Sequence, residues 1–190
     1  MARTTMSDLI TTLRGMTNAG TADYTVGTVT YWTDDQLQSA LDRNRMEVVR
    51  LPVSPLTEYD GGTVVYTRYQ TGTMYWEGST AFELQDSTGN AVGTALYTFD
   101  AERGVITFST TTTGVDYYAC GAVYDVDGAA ADVWDMKAAQ AADLFTFSTD
   151  NHSIQRGVII QNYMRMASQY RARSKFAGNT IDVERQDTNT

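Results

Sequence analysis

The stretch YYACGAVYDVDGAAADVWDMKAAQAADLF, residues 117–145, changes its periodicity once, and that change decides the fold class. From Tyr117 to Val126 it reads as a strand. Tyr118, Cys120, Ala122 and Tyr124 fall on one face, and Tyr117, Ala119 and Val123 on the other. After Gly128, Ala129-Ala130-Ala131-Asp132 opens a helix in which Trp134, Ala138, Ala141 and Phe145 recur at spacings of four, three and four. The alanines allow a neighbouring helix to come close. A period of two running into a period near 3.6 predicts an α+β chain.

Upstream of this stretch, residues 62–126 are rich in Thr, Val, Tyr and Phe, which suit a pleated, half-buried surface. Thr63–Tyr69, Thr73–Glu77 and Ala81–Gln85 read as strands, and Asp86-Ser87-Thr88-Gly89-Asn90 as a turn. Leu96–Phe99 and Val105–Phe108, joined by a glycine-ended loop, read as a hairpin. Five or six short strands imply an antiparallel sheet or small sandwich. Further upstream, Ser7 and Asp8 start a short amphipathic turn with Leu9, Ile10 and Leu13, and residues 15–27 read as a loop. Thr33-Asp34-Asp35-Gln36 is a capping box, and Leu37, Ala40, Leu41, Asn44 and Val48 extend a helix over 34–50 that Pro52 and Pro55 end. Downstream, residues 148–152 form a polar break and Ser153 caps a last helix. That helix buries Ile159, Tyr163, Met166 and Tyr170.

The expected organisation is a small helical bundle with an inserted antiparallel β-sheet or sandwich and an extended C-terminal tail. Residues 1–61 form an N-terminal helical part, 62–127 the β insertion, 128–173 a helix pair completing the helical core, and 174–190 a partner-binding tail. The tail is too polar to fold alone and is expected to order only on a partner.

At 190 residues and 42% hydrophobic residues, the chain is long and apolar enough for one domain with a core. No run approaches the 18 or so apolar residues of a membrane span, and the first residues lack the apolar segment of a secretory signal. The chain is therefore expected to be made in the cytoplasm of its host. A net charge of −9 argues against gripping DNA through phosphates, and suits a wall past which DNA slides. The single cysteine, Cys120, has no disulfide partner within the chain, and the single histidine, His152, cannot by itself anchor a zinc site.

No phosphate-binding glycine loop, zinc-protease or nucleophile-elbow motif is present. Asp34–Asp35 reads as charge on a helix N-terminus rather than a metal pair. Asp125 and Asp127, before Gly128, read as a turn rather than a calcium loop or a hydrolase carboxylate pair. His152 reads as a surface turn residue, and Cys120 as a small buried hydrophobe. The aromatics Tyr66, Tyr69, Tyr75, Trp76, Tyr97 and Phe99 read mainly as sheet core, the alternative being a stacking platform for a sugar or base. No catalytic, metal or cofactor-binding residue is assigned and no cofactor is expected. The one local charge imbalance is Arg165, Arg171, Arg173 and Lys175 at the end of the last helix. These cations either complement the helix dipole or guide an acidic partner, with Phe176, Ile181 and Val183 entering its pockets.

The order of helix, capped helix, β-rich insertion, Ala-rich helix, polar break, long helix and tail resembles the head–tail connector (adaptor) proteins of tailed bacteriophages. The residues that carry the resemblance are Val123-Tyr124-Asp125-Val126 running into Ala129-Ala130-Ala131-Asp132, and Phe145-Thr146-Phe147-Ser148 followed by Ile154-Gln155-Arg156-Gly157 and Gln169-Tyr170-Arg171-Ala172-Arg173. The 97–108 hairpin is similar to the sheet inserted in such proteins. The resemblance implies a non-enzymatic virion protein at the head–tail interface. It implies a homo-oligomeric ring, a dodecamer, seated beneath the portal protein. That ring carries DNA through its lumen without sequence-specific binding and receives the next neck or tail protein, a stopper, tail tube or terminator. Residues 174–190 match the extension that reaches into the portal, and no membrane is involved. The alternatives are another virion part, such as a tail terminator or capsid decoration protein, or an aromatic-lined ligand-binding β module.

Overall fold

One strand belongs to both layers of this molecule. In a computed structural model, which describes residues 2–20, 24–26, 29–78, 80–143 and 156–174, β8 (Tyr117–Tyr124) turns Ala122 and Tyr124 into a core of helices and Ala119 and Val123 into a core of strands. The faces are those expected from the alternation of the sequence. The class is α+β: four α-helices among the described residues, and a curled six-stranded antiparallel sheet.

The helical layer begins with α1 (Ser7–Thr17), which follows a single 3-10 turn at Thr4–Met6. It runs past Gly15, through residues expected to be loop. Leu13 and Thr17 complete its buried stripe with Leu9 and Ile10, and Asn18 closes it in the left-handed conformation (φ 48°). Part of the remaining expected loop is a small hairpin, β1 (Tyr24–Val26) with β2 (Val29–Tyr31). The capping box forms as predicted at the start of α2 (Asp34–Arg43). The Thr33 side chain accepts from the Gln36 N–H, and the Gln36 side chain from the Thr33 N–H.

The helix expected over 34–50 stops at Arg43. Residues from Arg45 onward form β3 (Arg45–Asp60), a strand that contains both prolines. Asn44 ends α2 by returning its Nδ2 to the Ala40 carbonyl. Val48 is in phase with the helical stripe, but long-range pairing decides its state. The first part of β3 pairs with β8, the second with β4 (Thr63–Gln70), each along one edge only. A strand with a free edge tolerates a residue that lacks an N–H, so Pro52 and Pro55 sit inside it. One extra residue between Val48 and Leu51, with Arg50 at φ 52°, makes a bulge that leaves Val49 exposed.

The sheet order is β5-β8-β3-β4-β7-β6, with β5 at Glu83–Gln85 and the hairpin β6 (Tyr97–Asp100) and β7 (Val105–Thr112). The hairpin and the Asp86–Asn90 turn lie where the sequence placed them. The expected strand at Thr73–Glu77 is instead a loop. Only Trp76 forms a bridge, to Val123. The tip of the β3–β4 hairpin extends past the β7 register as a two-stranded arm with Tyr59 and Val64 exposed.

Candidate docking surface at the C-terminal helix pair

The helix that follows β8, α3 (Val126–Asp143), begins three residues before the expected Ala129. Asp125 is its cap: Oδ1 accepts from the Gly128 N–H at 3.0 Å, and the Asp125 carbonyl from the Ala129 N–H. Gly128 is thus part of the first turn rather than a break. A Cβ there would lie 2.6 Å from Asn44 Oδ1, so a larger residue would displace the Asn44 side chain where the end of α2 meets the start of α3. Val126, Ala129, Ala130, Val133, Trp134, Ala138 and Ala141 are all buried, more than one face can supply. A helix that is apolar around most of its circumference lies between two layers. One side of α3 meets α1 and α2, and the other meets α4 (Arg156–Arg173).

The stripe expected on the last helix is present: Ile159, Tyr163, Met166 and Tyr170 are half-buried around the buried Ala167. The Tyr163 ring lies 5.4 Å from that of Trp134, and the Tyr170 hydroxyl donates to the Met16 carbonyl at 3.0 Å. The opposite face displays Val158 and Met164, both exposed.

The structure distributes the C-terminal cations unevenly. Arg171 turns back onto α3, donating to Asp135 at 2.6 Å with Asp132 at 3.8 Å. The Asp135 hydrogen bond and charge raise its pKa further. Arg165 donates to Asn162 and Arg173 lies over the Tyr170 ring, contacts made within α4 that leave both side chains on the surface. Lys175, Phe176, Ile181 and Val183 lie outside the described residues, as do His152 and Ser153. The last described residue, Ser174, is tied down: its N–H donates to the Tyr170 carbonyl, and its hydroxyl donates to Asp125 Oδ2. One buried carboxylate therefore caps α3 and holds the end of α4. Sequence reasoning assigned Asp125 only to a turn, because its partner lies 49 residues away.

A second charged cluster left no trace in the sequence. Glu77, 8% exposed, accepts from the Tyr124 hydroxyl at 2.7 Å, the Thr5 hydroxyl at 2.7 Å and Arg3 Nε at 3.2 Å. Burial alone would raise the Glu77 carboxyl. The hydrogen bonds from Tyr124 and Thr5 and the Arg3 charge outweigh it and hold the group below the usual carboxylate range. Tyr124 is pushed up to about 12 by burial and by its bond to Glu77. Arg3 also grips Asp42 of α2 at 2.7 Å, so the cluster pins the N-terminal segment between α2 and the sheet. Its atoms are satisfied by one another, which marks a structural network rather than a reactive site.

Asp34 pairs with Arg14 at 2.6 Å. Cys120 is half-buried, its sulfur accepting from the Arg50 N–H. Among the described residues, no group of three His, Cys, Asp or Glu side chains comes together in a way that could hold a metal ion, and no helix is long and apolar enough to cross a membrane. The aromatics of the middle zone pack on one another. Phe82 and Phe99 stack at 3.6 Å, Trp76 meets Phe82 edge-on at 5.3 Å, and Tyr69 meets Phe108 at 5.4 Å. Tyr69 and Trp76 have essentially no exposed surface. Tyr69, Trp76, Phe82 and Phe108 thus belong to the sheet core, whereas Tyr75 lines a cleft between the sheet and the helical layer.

Comparison of the chain with protein-family models, with curated proteins and with solved structures finds no match.

Proposed function

We propose that this chain is a non-enzymatic virion structural protein, a head–tail connector that assembles into a ring beneath the portal and passes DNA on to the neck or tail. The observation that carries the reading is the one-sided packing of α4. This helix rests on α3 through a half-buried stripe and turns Val158, Met164 and Arg165 outward. In a closed ring a heterologous contact covers such a face with an unlike patch of the next subunit. The exposed Tyr59–Val64 pair at the tip of the β3–β4 arm is a second such patch. The charge of −9 lets DNA pass without being held.

On this reading the ring body is the α3–α4 pair, and the segment after Ser174 contacts the portal together with Arg165 and Arg173. Mass photometry of the purified protein, with and without portal protein, tests assembly. Closed oligomers or portal-bound rings are expected, and Met164→Glu is expected to disperse them without changing the far-ultraviolet circular dichroism. A chain that stays monomeric at every concentration and ignores the portal would overturn the reading. Electron microscopy of the portal complex before and after removal of residues 175–190 tests the tail contact. Undiminished binding by the shortened chain would remove the tail from that role.

A further inference from the structure

At the tip of the β3–β4 arm, Glu58, Tyr59 and Asp60 pair with Val65, Val64 and Thr63. Neither segment has a second strand neighbour: the β8 pairing of β3 ends at Val53, and the β7 pairing of β4 at Tyr66. A two-stranded ribbon is marginal on its own in water, and its free edges invite a further contact. Gly61 and Gly62, at φ 56° and 86°, make the two-residue turn that sets this register. Tyr59 and Val64 are therefore directly opposite and share one face, where they are 75% and 41% exposed. Glu58 is spent on Thr67 and Arg68. Asp60 is exposed, and among the described residues no cation pairs with it.

The outer face of α4 has the opposite character. Residues 156–173 hold four arginines and no Asp or Glu, in a chain of net charge −9. Arg171 is turned onto Asp132 and Asp135. Arg165 meets Asn162, and among the described residues no carboxylate pairs with it. Val158, Gln161 and Arg165 follow at helical spacing on the side opposite the stripe that rests on α3, with Met164 beside them. This face thus offers a cation flanked by the exposed Val158 and Met164.

Charge separates the ways in which two copies can meet. Arm on arm sets Asp60 against Asp60, and α4 on α4 sets Arg165 against Arg165; like charges brought together across an interface are costly. Arm on α4 pairs opposite signs and covers all four apolar side chains. We propose that the arm tip of one copy docks on the outer face of α4 of the next copy, with Tyr59 and Val64 against Val158 and Met164 and Asp60 toward Arg165. Tyrosine and arginine are among the residue types that dominate interface energetics. The contact joins unlike patches, so it propagates from copy to copy until it closes into a ring or runs on as a filament. This inference rests on the self-assembly proposed above and names the surfaces that carry it. Arg165 then leaves the portal contact, and Arg173 remains for it.

Two full-length variants, Tyr59→Cys and Met164→Cys, each with Cys120 replaced by serine, are mixed and mildly oxidised. Disulfides between positions 59 and 164 are expected to exceed their statistical share over 59–59 and 164–164 links in peptide mapping. A Leu96→Cys chain in place of Met164→Cys gives the background. Like-with-like links in excess, or no link above background, would overturn the docking. Charge reversal is the second readout, followed by mass photometry at low salt. Asp60→Arg and Arg165→Glu should each weaken assembly several-fold, the two combined in one chain should restore most of it, and the differences should shrink as salt rises. Oligomers unmoved by either single change would overturn the docking and leave the ring reading standing. Filaments linked through 59 and 164 would uphold the docking and overturn the ring. A chain monomeric at every concentration would overturn the docking, and the connector reading would then stand or fall by portal binding.

Discussion

The two faces of β8 look onto two cores made of different materials. On the helical side the contacts are leucines and alanines: Leu13, Leu37 and Leu41 close over Ala129 and Ala130. On the sheet side they are large rings: Tyr69, Trp76, Phe82, Tyr97 and Phe108 meet mostly edge to face. Small side chains bring backbones together and leave no room for additions. Large rings contribute much buried area each and leave holes when removed. The helical core is therefore intolerant of gain and the sheet core intolerant of loss.

Trp76→Ala should be the most damaging change, because the ring is fully buried and its N–H is spent on Thr71 and Thr73. A loss of about 3–5 kcal/mol is expected in urea unfolding followed by circular dichroism. A loss below that of Leu41→Ala, read the same way, would break the contrast between the cores. Ala130→Leu tests the other side: adding bulk where α3 is fully buried should cost about 1–3 kcal/mol. If it were neutral, the helical layer would be looser than its burial indicates.

Asp125→Ala sharpens the comparison at the seam, since it removes the α3 cap and the Ser174 contact together. About 1–2 kcal/mol is expected from the cap, with Ser174→Ala recovering only the part due to the tail anchor. The smallest effect is a slope. The depressed Glu77 pKa stabilises the fold above the ordinary carboxylate range, and that contribution is lost as pH falls through the folded value. Glu77→Gln should flatten the acid side of the thermal-stability profile. An unchanged slope would assign acid sensitivity to other carboxylates.

Features written in adjacent residues were legible. The Thr33–Gln36 box, the Tyr97–Phe108 hairpin and the alternation of β8 need only neighbours within a few positions. The helix expected over 34–50 failed for the converse reason. Asn44 and Val48 continue a stripe started by Leu37 and Leu41, but partners on β8, more than 70 residues on, make Val48 a strand residue. Likewise the β-rich composition of Thr73–Glu77 held no sign that Tyr75 is bent to φ 62° and that only Trp76 bridges. At the candidate surface the cation cluster was visible as composition. The turn of Arg171 onto Asp132 and Asp135 was not, because it depends on how α4 lies along α3.

The hand-over within β3 has a mechanical consequence. Val53 is zipped to β8 while its neighbour Ser54 is zipped to β4, so one continuous backbone laces the two ladders end to end. Tension applied to the β3–β4 arm cannot be relieved by shedding that arm alone. It runs along β3 into the strand that leads to α3. A pulling force would feel this chain as a single link, and cutting the chain within the bulge at Val49–Arg50 should release both layers at once.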